Sequence, residues 1–432
     1  MKHSVHQVQL QNGAQGLLID VPDASVMTFY IDFRAGEYLV QPDKWEVPHL
    51  MEHVLLGANE LIPKARDFQA ELEKNGAYSN ATTTVYDIFY EAECADFEWS
   101  RVLGLMLTAI SKPLFLKDEF KAEFGNVQEE MAAHSNNHFR RLGLEMRKSL
   151  GLIAKSDIER LELMNNVTVE DVRDHYLRTH RTPNLRFVIA GKLTPSRRRT
   201  ATKLLENIEL ARDGERFALP DERLCRLRKP VHVPNDTVEN LYFYIDTFAE
   251  RRLKDPETDA LHLVNTLLTE TLYSKILGTA RERGLVYGMS SGLSHTSSAT
   301  NWWFGGQVSD KNIDPLFSIV IQELEKLLAG KLSQKDLKAT KQYALGRFQR
   351  SGQTVGGTAG GYLGRYFFDG VVDDYYRIPE RIRAVSKRQI TDVVNDMFSD
   401  DVWGFGVLGN ASRRFVGDRQ RQLAPLWQTR KK

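Results

Sequence analysis

The chain has 432 residues, of which 42% are hydrophobic and 27% charged, and its formal net charge is +1 at pH 7. This length exceeds what one ordinary hydrophobic core organises, so we expect a soluble globular protein of two or more domains. The near-zero net charge and the shortness of the basic clusters at 197–199 and 430–432 argue against nucleic acid as the main partner.

Cysteine use and hydropathy bear on the compartment. Cys94 and Cys225 are far apart in the sequence, so they suggest neither a disulfide framework nor a cysteine-based zinc site. The N-terminus lacks an apolar signal core, and the sequence has no run of about 18 apolar residues. We therefore expect a cytoplasmic protein without a membrane partner.

The first elements are strands, followed by a helix. Runs rich in β-branched and aromatic residues, separated by turn residues, predict strands within residues 6–40. Pro48 is a favourable first residue for a helix, and Gly57 is a favourable stop. This predicts a short helix between them.

The motif His49-Leu50-Met51-Glu52-His53 lies on that helix. His49 and His53 are four residues apart, so both imidazoles project from one face, where two neutral rings can share a metal ion. Glu52 is adjacent and can act as a base toward a water that the metal activates. A zinc site also needs a third protein ligand. A histidine pair without one is more often a chance arrangement of surface or core residues.

Two helices and a strand are predicted next. Residues 65–74 have a helical pattern that ends at Asn75-Gly76. The threonine-rich and aromatic-rich run 78–90 predicts one long strand. Residues 97–111 predict an amphipathic helix.

A further helix is predicted over residues 118–133. Glu123 and Glu130 are seven residues apart, about two turns, so they share one face of it. Charged residues on a helix usually form only its solvated side. His134 and His138 form a second four-residue pair, but no third ligand is apparent for them, which favours a loop or surface role.

The second half of the chain repeats the first loosely. Phe29-Tyr30-Ile31-Asp32 recurs as Phe243-Tyr244-Ile245-Asp246, and the segment 167–191 is echoed by 385–409. Both offsets lie at about 210 to 220 residues, and several echoes in one order indicate a duplicated domain.

This repeat sets the predicted domain boundaries. Residues 213–236 lose periodicity and predict a linker between an N-terminal domain, 1–212, and a homologous C-terminal domain, 237–432. Only the first half carries a His-x-x-Glu-His motif, so only the N-terminal domain is expected to hold a metal ion.

On these motifs the chain resembles the inverzincin metallopeptidases of the M16 family, the pitrilysin and mitochondrial processing peptidase type. The third zinc ligand of that family is a glutamate with 76 residues between it and the second histidine, which selects Glu130. A further family glutamate lies seven residues earlier, which selects Glu123. The resemblance covers nearly the whole chain. It implies an α+β fold of two homologous domains of about 200 residues, each a largely antiparallel sheet with helices on one side.

Two other segments look like family segments. The stretch 75–82 resembles the Gly-Gly-x-x-Asn-Ala strand entry, which implies that Asn80, Ala81 and Thr82 bind substrate as an added β-strand. The stretch 274–287 resembles a segment whose arginine and tyrosine approach the substrate carbonyl.

The arginine in that second segment has two alignments. In the family the arginine and tyrosine are usually seven residues apart. Alignment forward from Ser274 selects Arg281, six residues before Tyr287, whereas alignment back from Tyr287 selects Ala280.

The resemblance implies a zinc metalloendopeptidase acting on peptides or unfolded polypeptide segments. Three residues would hold one zinc ion per chain: His49, His53 and Glu130. Glu52 would be the general base, and Glu123 would orient a ligand histidine. Tyr287 and Arg281 would stabilise the oxyanion.

Long members of the family carry four such domains, and this chain has two. The resemblance therefore implies a homodimer, or a heterodimer with a related chain, in which Tyr287 serves the partner's zinc site. The alternative is a catalytically idle binding or assembly subunit, or a regulatory partner of an active homologue. The shorter Arg–Tyr spacing favours that alternative, and the complete ligand set with Glu52 disfavours it.

Overall fold

The computed structural model describes residues 1–427. The predicted end of the second domain, with the cluster Arg430-Lys431-Lys432, lies outside the described residues. The strands are β1 (Ser4–Gln9), β2 (Gln15–Asp20), β3 (Val26–Phe33), β4 (Tyr78–Thr83), β5 (Ile88–Ala95), β6 (Leu185–Gly191), β7 (Val231–Pro234), β8 (Leu241–Ala249), β9 (Met289–His295), β10 (Thr300–Val308) and β11 (Trp403–Gly409). The α-helices are α1 (Val47–Leu55), α2 (Ala65–Glu73), α3 (Trp99–Ser111), α4 (Lys117–Ser135), α5 (His138–Ser149), α6 (Asp157–Met164), α7 (Val169–Thr179), α8 (Pro195–Glu206), α9 (Asp255–Asn265), α10 (Leu277–Glu282), α11 (Ile313–Leu328), α12 (Gln334–Ser351), α13 (Val355–Asp369), α14 (Ile378–Ala384), α15 (Lys387–Met397) and α16 (Arg413–Leu423).

The first compact unit comprises residues 1–132, 158–219 and 349–375. Its six-stranded sheet has the order β1-β2-β6-β3-β5-β4, and every neighbouring pair is antiparallel except β2 and β6. Alternate residues of β3 point to opposite faces. Phe29, Ile31 and Phe33 enter the core with residues of α1, α3 and α7, while α13 packs on the other face.

The second compact unit comprises residues 133–157, 220–348 and 376 onward. Its five-stranded sheet has the order β7-β11-β8-β10-β9, again antiparallel except for one pair, β7 and β11. Residues of α9, α11 and α15 form the main core on one face. Helix α5 packs on the other, where Gly404 and Gly406 of β11 leave room for the side chain of Met146.

Apart from β1, which has no counterpart in the second sheet, the strands of the two sheets follow the same order. In each sheet, the strand that carries the repeated Phe-Tyr-Ile-Asp sequence, β3 or β8, is internal. On one side it has a neighbour, β6 or β11, that pairs in parallel with the next strand outward, β2 or β7. Those neighbours, β6 and β11, end at Gly191 and Gly409, whose φ angles are +143° and +142°. The prediction of two related, largely antiparallel sheet-and-helix domains is confirmed.

The prediction of one long strand over residues 78–90 is wrong. The run folds into the hairpin of β4 and β5, because Thr84 closes a turn. Its backbone N–H donates to the carbonyl of Asp87 at 2.8 Å, and its hydroxyl accepts from the N–H of Asp87 at 2.9 Å. Threonine favours strands, but its hydroxyl can also close a turn. The hairpin makes β4 an edge strand.

Other predictions have mixed outcomes. Residues 231–234, inside the predicted linker, form β7, a four-residue strand too short to show periodicity. Cys94 and Cys225 are both free thiols. Among the described residues, no helix combines the length and the apolar character that crossing a membrane requires.

The repeated aspartates have different partners. Asp32 accepts a hydrogen bond from Arg216 at 2.6 Å, whereas Asp246 accepts one from the side-chain amide of Asn301. Burial raises the pKa of Asp246 to about 7, since the hydrogen bond from Asn301 offsets only part of the lost hydration. The buried carboxyl group of Asp246 therefore favours its protonated form.

The substitution Asp246→Asn should stabilise the protein at neutral pH and less so in acid. Because the folded pKa of about 7 exceeds the ordinary value of 3.8, the stabilising contribution of this carboxyl is present in acid and is lost as pH rises through 7. The variant avoids that loss, so its gain in free energy of unfolding over the wild type should grow between about pH 5 and pH 7.5. Denaturant unfolding at both pH values measures it. Asp32→Asn, which removes the nearer of the two carboxylates beside Arg216, should destabilise instead. An equal effect of Asp246→Asn at both pH values would contradict the assignment.

Candidate metal centre

Helix α1 presents His49 and His53 side by side. Leu50, Met51 and Val54 are fully buried and fix the opposite side of the helix in the core. The two imidazole centroids are 5.0 Å apart. The four-residue spacing therefore produces the shared face that the sequence predicts.

Glu130 of α4 meets both histidines. Its Oε2 lies 3.5 Å from Nε2 of His49 and 3.4 Å from Nε2 of His53. One candidate ligand atom from each of the three residues lies within 4.8 Å of the others. Among residues 1–427 this is the one such group of three or more His, Cys, Asp or Glu side chains, so the pair of His134 and His138 gains no third ligand there. Two imidazoles and a carboxylate form a donor set that suits zinc.

Each histidine is also held at its other nitrogen. Nδ1 of His49 is 3.0 Å from Oε2 of Glu46, and Nδ1 of His53 is 3.0 Å from Oε2 of Glu123. A carboxylate at Nδ1 favours the tautomer that carries its proton there, which leaves Nε2 as the electron-pair donor. Both Nε2 atoms face Glu130, so the ring orientations fit a shared metal ion.

Glu52 is linked to the sheet edge. The hydroxyl of Thr83, the last residue of β4, donates to Oε2 of Glu52 at 2.5 Å. This contact joins the end of the edge strand to helix α1. The carboxylate is thus held beside the cluster without being part of it.

The predicted substrate-binding residues lie on β4. Asn80, Ala81 and Thr82 precede Thr83 on this strand, and β4 pairs only with β5 among the described residues. Asn80 is exposed, while Ala81 packs against the core. An edge strand presents backbone donors and acceptors along its open side.

Arg281 and Tyr287 belong to the second unit. The Arg281 guanidinium donates to the carbonyl of Tyr287 and lies 4.5 Å from the centroid of its ring. The Tyr287 side chain is 87% exposed, whereas Ala280 is fully buried. Of the two aligned candidates, Arg281 is therefore the one beside Tyr287, despite the spacing of six.

Electrostatics couple the three candidate ligands. Burial alone would lower the pKa of His53, but hydrogen bonds to Glu123 and Glu130 outweigh it and raise the pKa to about 9. For His49, hydrogen bonds to Glu130 and Glu46 likewise outweigh burial and raise its pKa. Hydrogen bonds from both histidines hold the pKa of Glu130 well below its ordinary value. In the metal-free protein, the histidines and this carboxylate therefore favour each other's charged forms.

A His-x-x-Glu-His helix with a distant glutamate is the ligand pattern of the inverzincins. A family model described as "Insulinase (Peptidase family M16)" matches residues 19–156, and one described as "Peptidase M16 inactive domain" matches residues 166–343. The chain belongs to the M16 peptidase family.

Solved structures share the fold over nearly the full chain. A protease from Helicobacter pylori has a TM-score of 0.82 at 17% identity, covering 94% of this chain and 100% of that one. A peptidase M16 inactive domain from Pseudomonas fluorescens has a TM-score of 0.81 at 16% identity, covering 95% and 99%. A chain of complex III2 from Candida albicans has a TM-score of 0.78 at 13% identity, covering 97% and 100%. Identities this low establish a common architecture only.

Sequence reasoning missed three contacts at this centre, those of Glu46, Arg160 and Thr83. Glu46 lies three residues before His49, a helical spacing that signals a possible contact. Arg160 binds Glu46 from α6, more than a hundred residues away, and nothing local in the sequence points to it. The contact of Thr83 depends on the turn at Thr84, which the strand prediction overlooked.

Metal binding at this cluster should weaken as pH falls. Because His53 keeps its proton up to about pH 9 in the metal-free protein, a cation must displace that proton to reach Nε2. With Zn²⁺ as the probe, affinity should rise about tenfold per pH unit for each proton displaced between about pH 6 and pH 8. Competition with a chromophoric chelator, corrected for its own protonation, measures this. Affinity that does not change with pH would show that the histidines are not the ligands.

Proposed function

We propose that this chain is a cytoplasmic zinc metalloendopeptidase that hydrolyses peptides or unfolded polypeptide segments. The observation that carries the proposal is the convergence of His49, His53 and Glu130, with the neighbouring Glu52 hydrogen-bonded to Thr83 at a sheet edge. Membership of the M16 peptidase family supports it.

The three converging side chains would hold one zinc ion per chain. Zinc in such a site supplies Lewis-acid chemistry, lowering the pKa of water toward 7 and polarising a carbonyl. Glu123 keeps the ring of His53 in place through its bond to Nδ1, and its own Oε2 also accepts from Asn126 at 3.1 Å. Glu123 is thus a positioning residue.

Glu52 is the proposed general base. The Thr83 hydroxyl fixes one of its carboxylate oxygens, so the other can take a proton from the attacking water and pass it to the leaving amine. The same contact ties this base to the strand on which substrate would lie.

Substrate would extend the first sheet by pairing with β4. An added strand is held by backbone hydrogen bonds, so recognition would depend little on side chains and would require an unfolded segment. The strand runs through Asn80, Ala81 and Thr82 to Thr83, which leads the peptide toward Glu52.

Tyr287 and Arg281 would complete the site from a second subunit. Tyr287 is almost fully exposed, and its hydroxyl could donate to a developing oxyanion. The stacked Arg281 limits the orientations of the phenol ring. We therefore propose a homodimer, or a heterodimer with a related M16-like chain, as the active form.

A second candidate is a catalytically idle binding or assembly subunit, or a regulatory partner of an active homologue. The six-residue spacing of Arg281 and Tyr287 favours it, and two comparisons are compatible with it: a family model described as an inactive domain matches 166–343, and a complex III2 chain shares the fold. Zinc binding without turnover would distinguish it from the peptidase.

The substitution Glu52→Gln should abolish cleavage and leave zinc binding intact. Loss of a general base lowers the rate by about a hundredfold or more, while the three zinc ligands are unchanged. Zinc per chain and cleavage of a quenched peptide library are measured together. Glu129→Gln, an exposed glutamate next to Glu130 but outside the cluster, is the matched control and should be fully active.

The wild-type protein decides between the candidates in the same assay. Binding of about one zinc without cleavage, as a purified dimer, would favour the idle subunit. Failure to bind zinc at all would mean that the assignment of the three ligands is wrong.

Mixing two inactive variants should restore activity if subunits share sites. His49→Ala destroys the zinc site and keeps Tyr287, whereas Tyr287→Phe does the reverse. After subunit exchange, half of the dimers are mixed and each has one intact site, so activity should reach about a quarter of wild type. Cleavage assays before and after exchange measure this. If Tyr287 serves its own chain's site, the mixture stays inactive.

A further inference from the structure

We propose that Glu46 and Arg160 form a buried pair that positions His49 for metal binding. This inference rests on the proposed function, because it concerns the same zinc site. The His-x-x-Glu-His motif specifies which residues bind the metal but nothing that orients the first histidine. In this chain that role falls to a glutamate outside the motif and an arginine on another helix.

The contacts form a chain from Arg160 to the cluster. Nε of Arg160 donates to Oε1 of Glu46 at 2.5 Å, and its Nη2 donates to Oε2 at 2.9 Å. The same Oε2 is 3.0 Å from Nδ1 of His49. The bidentate pair fixes the plane of the carboxylate, and the carboxylate fixes the ring. Nε2 of His49 is thereby held toward Glu130.

The position of Glu46 shows that its side chain is not used for ordinary helix capping. Glu46 is the N-cap residue of α1, where a side-chain oxygen usually accepts from a backbone N–H of the first turn. Its carboxylate makes no such bond and points to Arg160 and His49 instead. The helix forgoes a side-chain cap at the residue that faces its first histidine.

The burial of this pair argues for more than a surface contact. Glu46 is 0% exposed, and Arg160 is also buried. A buried ion pair seldom stabilises a fold more than apolar side chains of similar size would. A role in orienting a metal ligand gives this pair a function that an apolar replacement could not supply.

The two histidines differ in how they are supported. The carboxylate of Glu123, which holds His53, is 24% exposed, so water can replace part of its contact. The carboxylate that holds His49 is enclosed, so loss of Glu46 leaves Nδ1 without a substitute partner. We therefore expect the metal site to be more sensitive to Glu46 than to Glu123.

The test compares metal affinity with stability in five variants, of which Glu123→Gln and His49→Ala serve as comparisons for the site itself. Glu46→Gln removes the carboxylate charge, and the double variant Glu46→Gln with Arg160→Met also removes the counter-charge, so that no unpaired charge is left buried. Glu37→Gln is the matched control: Glu37 is buried and lies 3.8 Å from Arg160, but it makes no hydrogen bond to His49. Zn²⁺ and Co²⁺ affinities are measured by chelator competition, with the Co²⁺ absorption spectrum and the unfolding temperature of the metal-free protein.

The expected result is a ten- to hundredfold loss of Zn²⁺ affinity in both Glu46 variants, with an altered Co²⁺ spectrum and a folded metal-free protein. Glu37→Gln should keep wild-type affinity, and Glu123→Gln should lose less than Glu46→Gln. Unchanged affinity and spectrum in the double variant, with or without a lower unfolding temperature, would overturn the inference and make the pair structural. If wild type and His49→Ala bind Zn²⁺ equally, it is the proposed zinc site that fails instead.

Discussion

The site depends on one contact, the approach of Glu130 on α4 to Nε2 of both His49 and His53 on α1. Without it, α1 carries two imidazoles and no third ligand. The contact requires both rings to turn the same nitrogen toward α4. The opposite nitrogens donate hydrogen bonds to Glu46 and Glu123, and these bonds meet that requirement. The geometry of the centre thus depends on the carboxylates of Glu46 and Glu123 as much as on the three candidate ligands.

In the first unit, arginine side chains also connect the sheet to helix α13. Arg34 donates to the carbonyls of Phe367 and Phe368 at 3.0 and 2.8 Å, at the C-terminal end of α13. Arg216 donates to the carbonyl of Phe367 at 3.0 Å and to Asp32 at 2.6 Å. Cations suit the unpaired carbonyls of a helix C-terminus. These bonds join a segment from late in the chain to the first unit, so neither sequence half contains all of that unit's elements.

The family resemblance implied the two largely antiparallel sheets, and the internal repeat indicated two related domains. Residue spacing predicted the helix of His49 and His53 and the shared face of Glu123 and Glu130. Those features depend on local spacing, which a sequence displays directly. The turn at Thr84 was missed because threonine-rich runs favour strands until a hydroxyl closes the chain on itself. The contact between Arg160 and Glu46 was missed because it joins distant helices. The sequence likewise did not show that residues 133–157 belong to the second unit and residues 349–375 to the first. Local pattern does not reveal which sheet a distant helix will cover.

The word "inactive" in one matching family description does not bear on the metal centre. That match spans residues 166–343, which include none of His49, Glu52, His53 and Glu130, whereas the insulinase match spans 19–156 and includes all four. An idle subunit would need a defect outside the ligand set. The segment from Arg281 to Tyr287 is the natural place to look, because its spacing departs from the family pattern and its tyrosine is exposed. The two candidate functions therefore differ in what this segment does once a second subunit is present. The proposed zinc ligands are common to both.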